Sequence, residues 1–355
     1  MANVRSFYAN SSLYVKKAGA AGAYSFVHGI QSASDSFDLP ADYLLEWGQV
    51  GLYQAVDGIA DVTFDCEKLI DGSTPLYLAA TEGATAAGLT ARSEQRCVLA
   101  VAVYPSDAEY VTGTPTRVME YSGQQPTNIS YSFTVDGPFT ESMSFIGSYA
   151  EWQAAGAKYG SIPTNPTSSG QDVPAALTAC SGGIQFKQHL DFTGTYPTLL
   201  PTFISGITSS GTMPQDGGCP TVPIQSISVS VDLSRNTIPQ LGCKTPYARL
   251  AQFPVDVTTD IEVLSQSGHG LEVTLAGSIL VGCEYTNAPS SRLRVKTRSG
   301  LIIDLGSNNK LTSVKQTYGD TGGSNATYTL SFTNKSVMSV FHPNDPSALV
   351  YSGNP

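Results

Sequence analysis

What this sequence has little of is the first guide to what it does. Basic residues are in the minority: 19 Lys and Arg stand against 29 Asp and Glu, a formal charge of −10. That argues against the clustered Lys/Arg surface with which a protein grips nucleic acid. There are only 4 histidines (His28, His189, His269, His342), and none stands at metal-ligand spacing to another or to a cysteine. The 6 cysteines (Cys66, Cys97, Cys180, Cys219, Cys243, Cys283) contain no CxxC pair. Several lie in apolar strings such as RCVLAVAV and ILVGCEY, where a thiol behaves as a small hydrophobe. The reading is buried thiols in a protein made in a reducing compartment, not disulfides. A GxSxG elbow, a GxGxxG after a strand and a GKS/GKT loop are all missing. GDTGG at Gly319 to Gly323 is flanked by strand-like runs and reads as a hairpin turn. No run approaches the roughly 18 apolar residues of a membrane span. The opening MANVRSFYANSS lacks the apolar stretch of a secretory leader. The expectation is no enzyme, no cofactor, no metal site and no membrane insertion.

What is there points to strands. Of 355 residues 41% are hydrophobic and only 14% charged, with 34 Gly and 21 Pro, a composition that folds and favours strands and turns over long helices. IQSISVSVDL, Ile224 to Leu233, alternates: Ser226, Ser228, Ser230 and Asp232 on one side, Ile227, Val229, Val231 and Leu233 on the other. A strand with one wet and one buried face has this pattern. Nearly the same string, IQSASDSFDL, stands at Ile30 to Leu39. At a constant offset Gly48 and Tyr53 then meet Gly242 and Tyr247, and DVTFDCEKL from Asp61 lies on DVTTDIEVL from Asp256. Further on, Tyr121, Asn128 and Tyr131 align with Tyr318, Asn325 and Tyr328. The chain is an internal repeat, two related domains in tandem.

Strands are expected in the first domain at 30–39, 61–69, 97–104, 116–121, 128–136 and 141–146. Thr74-Pro75 opens a short helix through LYLAAT, with Gly83 near its end. In the second domain strands are expected at 224–233, 256–264, 271–283, 291–297, 300–305, 311–318 and 326–341, and no matching helix is evident. The segment 147–205 has no counterpart, yet carries Tyr149, Trp152, Ile184, Phe186, Leu199, Leu200 and Phe203, too apolar for a bare linker. It reads as an arm or insertion that packs on something, a neighbouring subunit being one option. The boundaries are 1–205 for the first domain, arm included, and 206–355 for the second.

The second shared segment is acidic. Asp61, Thr63, Asp65 and Glu67 share one face of DVTFDCEKL, and Asp256, Thr258, Asp260 and Glu262 repeat it. Carboxylates two residues apart on a strand are roughly 7 Å from each other and repel. One reading is an ordinary solvated sheet face, though such faces mix both signs. A glycosidase pair is another, but it needs two carboxyls in unlike environments. A row repeated in both domains looks more like a lining.

Five strings carry a family resemblance: YSFVHGIQSASDSFDLP, LEWGQVGLYQAVDGIADVTFDCEKLIDG, TLLPTFISGITSSGT, IQSISVSVDLSRNTIPQLGCKTPYARLAQFPVDVTTDIEVLSQSG and DLGSNNKLTSVKQTYGDTGGSNATYTLSFTN. Together they resemble the tail tube proteins of long-tailed bacteriophages. The resemblance implies a mainly β fold of two β-sandwich or barrel domains, with a short helix in at least the first. It implies a virion protein, assembled in the bacterial cytoplasm, whose rings of six domains stack into a hollow tube. Two domains per chain then favour a trimeric ring with pseudo-sixfold symmetry, a hexameric ring being the fallback. The expected lumen lining is Ser32, Ser34, Ser36, Asp38, Asp61, Asp65 and Glu67 with Ser226, Ser228, Ser230, Asp232, Asp256, Asp260 and Glu262. Expected partners are other copies, other tail proteins and passing DNA held without adhesion. The alternatives are a tail terminator, a head–tail connector, a β-rich tail-tip or carbohydrate-binding module, and a hydrolase using paired carboxylates.

Overall fold

The computed structural model describes residues 10–19, 24–104, 115–154, 190–192, 196–201, 223–243, 245–264, 292–318 and 325–352. They form a mainly β protein. The first half holds β1 (Ser11–Lys17), β2 (Ser25–Phe26), β3 (Ile30–Asp38), β4 (Ala41–Leu45), β5 (Leu52–Asp57) and β6 (Asp61–Leu69). Helices α1 (Leu76–Ala80) and α2 (Leu89–Ser93) follow, then β7 (Cys97–Val103), β8 (Arg117–Thr134), β9 (Thr140–Gly147) and β10 (Tyr149–Ala154). The second half holds β11 (Ile224–Asp232), β12 (Arg235–Ile238), β13 (Ala248–Ala251), β14 (Asp256–Leu264), β15 (Arg294–Lys296) and β16 (Ile302–Asp304). It ends with β17 (Lys310–Thr317), β18 (Thr327–Lys335) and β19 (Ser339–Phe341).

Strict alternation explains why the central strands form. In TESMSFIG of β9 and DVTTDIEVL of β14 every second side chain is buried and its neighbours are not, the period a one-sided sheet demands. Strand β8 is longer than the two short strands expected there. Pro126 sits at a bulge between Pro126 and Asn128, where its missing N–H breaks no ladder. Its first part pairs with β7 and β10, its second with β9 and β11, so one strand serves both layers. The expected strand 271–283 lies outside the described residues. Most of the 147–205 arm does too, but its described parts pack on this same chain: Leu199 bridges Arg294 and Leu190 bridges Thr297.

Eight strands run side by side in the order β3-β6-β9-β8-β11-β14-β18-β17, all antiparallel. The first four belong to one half and the last four to the other. The registers make the halves superimposable strand by strand. Asp65 faces Ser34 and Ser144, while Asp260 faces Ser228 and Ser331. Hence TESMSF of β9 matches TYTLSF of β18, and β8 matches β17. Both bulges recur: Ile30/Ser32 with Ile224/Ser226, and Pro126/Asn128 with Leu311/Ser313. This corrects the alignment of Tyr131 with Tyr328. Tyr131 faces Glu141 across the β8–β9 pair, and Tyr328 occupies the place of Glu141.

One contiguous apolar core lies under both halves, from Phe64, Tyr131 and Phe145 to Val229, Ile261 and Leu330. Two polar locks tie the helices to it. The buried Glu141 carboxylate accepts the Leu76 and Tyr77 amides at 2.6 and 3.1 Å and the Tyr131 hydroxyl at 2.9 Å. Those amides are the unsatisfied donors of the α1 start. The second half has Tyr328 there instead and so no carboxylate to dock a helix; 265–291, where one would fall, lies outside the described residues. The second lock is the buried pair Arg92–Asp345 at 2.6 Å, with Arg92 also donating to Thr81 at 2.9 Å. Through it the end of the chain is stapled across α1 and α2 of the first half. Breaking a buried pair from one side costs about 3–5 kcal/mol.

Beside this staple, His342 is buried and its Nδ1 accepts the Asn344 amide at 3.2 Å, which a charged ring cannot do. Burial and then the nearby Lys68 push its pKa down to about 4. The ring is therefore neutral in the fold, and stability is full above the unfolded value of 6.5. Stability falls as pH drops through that value, and the loss levels off below the folded value at up to about 3 kcal/mol. His342→Gln should remove this component. Urea midpoints measured from pH 7 to pH 4 should fall less steeply in the variant.

Candidate functional site

All fourteen sequence-predicted lining residues lie on one face of the eight-strand run. Directly paired residues share a face, so the ladder Ser34–Asp65–Ser144–Asn128 runs across the first half. Ser230–Thr258–Thr333 runs across the second, and the Ser130–Ser230 pair joins the two halves. The face is built of serine and threonine hydroxyls with Asp38, Asp61, Asp65, Glu67, Asp232, Asp256, Asp260 and Glu262 among them. Several carboxylates are tied down locally: Ser226 donates to Glu262 at 3.2 Å, and Asp232 accepts the Ser234 amide at 2.9 Å. Such bonds fix a carboxylate without neutralising it, so the face keeps its negative field. The lining expectation missed three lysines. Lys310 and Lys315 stand on β17 and Lys335 at the end of β18, where it pairs with Asp256.

Among the described residues the run has two open edges, β3 and β17, each hydrogen-bonded on one side only. Both are exposed along almost their whole length. Their counterparts β11 and β8 are instead joined to each other inside the chain, pairing Ser226 with Thr134 through Asp232 with Asn128. Sequence reasoning also missed Asp35. It stands on the apolar side of β3, opposite Phe64, in the place of the fully buried Val229. The Tyr121 phenol, buried beneath it, is pushed well up by that burial and by the adjacent Asp35 carboxylate, to which it hydrogen-bonds. The signal was available in the comparison of IQSASDSFDL with IQSISVSVDL, where one apolar slot becomes acidic.

Each half also throws out a hairpin between its first two long strands: β4–β5 and β12–β13. Gly48 and Gly242 turn them with φ of +92° and +83°, a backbone that favours glycine. The β12–β13 hairpin is anchored over the junction between the halves. Arg235 donates to the Pro126 carbonyl at 2.8 Å and the Ser93 carbonyl at 2.7 Å. Arg249 donates to Ser148 at 2.5 Å and ion-pairs with Asp61. The registers place Ala41 and Ala55 where these arginines would be in the first hairpin. That hairpin is exposed from Asp42 to Asp57, with Trp47 and Val50 wholly so.

No family model matches this chain. No curated protein matches it either. Solved structures with a detectable likeness include the cap that terminates the anti-feeding prophage tube, with a TM-score of 0.31, 12% identity, and coverage of 43% of this chain and 94% of that one. The baseplate of the same prophage, six-fold symmetrised, gives 0.29, 9%, 43% and 97%. The sheath–tube complex of an extracellular contractile injection system, in its extended state, gives 0.30, 11%, 43% and 94%. At these values the reading of the chain rests on its own geometry.

The anchors differ between the hairpins, and so should their motion. Arg235→Ala removes three partly buried hydrogen bonds from a charged donor, each worth about 1.5–3 kcal/mol. Amide exchange in 235–251 should then rise to the rate of 41–57, which is expected to be fast in the parent because that hairpin lacks both arginine anchors. An unchanged exchange rate would mean that the arginine does not hold the hairpin.

Proposed function

We propose that this chain is the subunit of a tail tube: a ring-forming, stacking structural protein whose bore is the Ser/Thr and carboxylate face. One observation carries the reading. The two halves present the same four strands in the same registers, joined through β8 and β11, while the counterparts of those two strands end the run with no further strand beside them among the described residues. A sheet built this way continues by adding the same unit again. Closed on itself, it buries both edges. Each copy supplies two equivalent units, so three copies give the ring of six that the family resemblance implies. A hexamer of the whole chain is the second stoichiometry.

The wet face suits a conduit. DNA carries about one negative charge per 1.7 Å, and basic surfaces hold it by releasing counterions. A face on which eight carboxylates outnumber the three lysines offers DNA little such gain, and the polymer slides. The apolar side turns outward onto the second layer, where the core already is. Terminators and connectors are the competing reading, since they form one ring and stop. The exposed hairpins favour a stack: apolar tips such as Trp47, Val50 and Leu241 stand clear of the fold in both halves, and exposed apolar clusters mark contact sites.

Native mass spectrometry and negative-stain microscopy of concentrated protein test this. The expected result is a three-copy mass with rings that stack into hollow tubes of apparent sixfold symmetry. Monomers at every concentration, or single rings that never stack, would contradict it. A second expectation concerns the bore. Asp65→Lys with Asp260→Lys should leave assembly intact and make tubes retain DNA threaded through them at low salt, releasing it as salt rises, while parent tubes retain none.

A further inference from the structure

The two open edges are not copies of the joined strands, and the differences fall where two edges would meet. Inside the chain, the Leu233 amide donates to the Thr127 carbonyl at 2.7 Å and the Val135 amide to the Gln225 carbonyl at 3.0 Å. These bonds bracket the β8–β11 junction and fix its phase. Pairs such as Val229–Tyr131 are hydrogen-bonded, and pairs such as Ser230–Ser130 are the closer, non-hydrogen-bonded kind. The matched registers of the halves carry this pattern to β3 and β17. Phe37 then meets Val314, Ala33 meets Tyr318, Asp35 meets Gln316 and Ser36 meets Lys315.

We infer that β17 of one copy closes onto β3 of the next in this register, and that Asp35 and Gln316 mark the two edges as each other's match. The inference rests on the ring reading above and names the contact that makes the ring. In the internal junction the corresponding slots hold Val231–Ile129, Ile227–Phe133, Val229–Tyr131 and Ser230–Ser130. The two outer apolar pairs stay apolar across the open edges. Phe37 is 45% and Tyr318 75% exposed in the single copy, whereas Val231 and Phe133 are 3% and 2% exposed. They are core residues waiting for the other side of the core.

The central pair is what differs. An acid at the Val229 slot keeps a lone β3 edge wetted, one of the ways natural sheets protect an edge. On closure the Gln316 amide supplies donors to Asp35 from one side and the Tyr121 hydroxyl from the other, so the carboxylate is not buried bare. Wrong pairings are penalised. Two β3 strands laid together with their apolar sides matched set Asp35 opposite Asp35, and like charges directly opposite destabilise. Two β17 strands paired about residue 315 set Lys315 opposite Lys315. In the matched pairing Lys315 lies diagonal to Asp38, within reach of attraction.

Engineered disulfides test the register and the marking separately. In a parent with Cys180, Cys219, Cys243 and Cys283 replaced by serine, Ser36→Cys with Lys315→Cys should give covalent three-copy rings on oxidation, because this is a close, non-hydrogen-bonded pair. Asp35→Cys with Lys315→Cys, shifted by one residue and aimed at opposite faces, should give background bonding only. Equal bonding in the two variants, or rings that form without the 36–315 bond, would overturn this inference alone. Chains that never associate would overturn it together with the ring reading. For the marking, Ser34→Cys with Ser36→Cys on β3 reports like-edge pairing. It should yield no covalent dimer while Asp35 is present and a clear dimer band after Asp35→Val. Dimers in both backgrounds, or in neither, would show that Asp35 does not select the partner.

Discussion

An antiparallel sheet cannot stop without leaving a row of unpaired N–H and C=O groups. In this chain that constraint governs the design. Eight strands run in one direction of hydrogen bonding, and among the described residues both ends of the run are bare over a full strand length. The apolar layer below obeys the same limit: Phe37 and Tyr318 reach the margin of a core that ends in mid-air. Backbone and side chains thus ask for the same completion at the same two places. The internal junction shows what that completion looks like when made.

In the proposed tube subunit, repeating the four-strand unit within one chain separates two tasks that a subunit with one such unit must combine. The β8–β11 junction is permanent, packed with Val229, Tyr131 and their neighbours and overlain by a hairpin anchored through Arg235 and Arg249. The open edges carry a polar mark in place of one apolar pair, and alanines in place of both arginines. In the proposed ring, the first kind of junction is made on folding and the second on assembly. In that reading, stability and association fall to different copies of one strand pair.

Much of this was legible in the sequence. The period-two alternation of IQSISVSVDL and DVTTDIEVL gave strands with correct limits and sorted the wet face from the buried one, because a one-sided sheet leaves no other option for a run of that pattern. The acidic rows were visible for the same reason. What was hidden depends on pairing between distant segments. Nothing local distinguishes Tyr131 as the partner of Glu141, so the third repeat segment was placed on the wrong strand. Glu141 looks like one more wet-face acid until the register turns it inward onto the α1 amides. The Arg235 and Arg249 anchors reach carbonyls and side chains of the other half, beyond any local pattern. The lysines of β17 were passed over because they stand on the last strand, away from the acidic rows.

The most direct measurement of the central claim is a cryo-electron-microscopy reconstruction of the assembled particle at side-chain resolution. The account predicts one sheet continuous through every copy, with Asp65 and Asp260 pointing into the bore and Phe64 and Ile261 pointing into the wall. A particle whose copies meet through other surfaces, or in which Asp65 and Asp260 face outward, would contradict it.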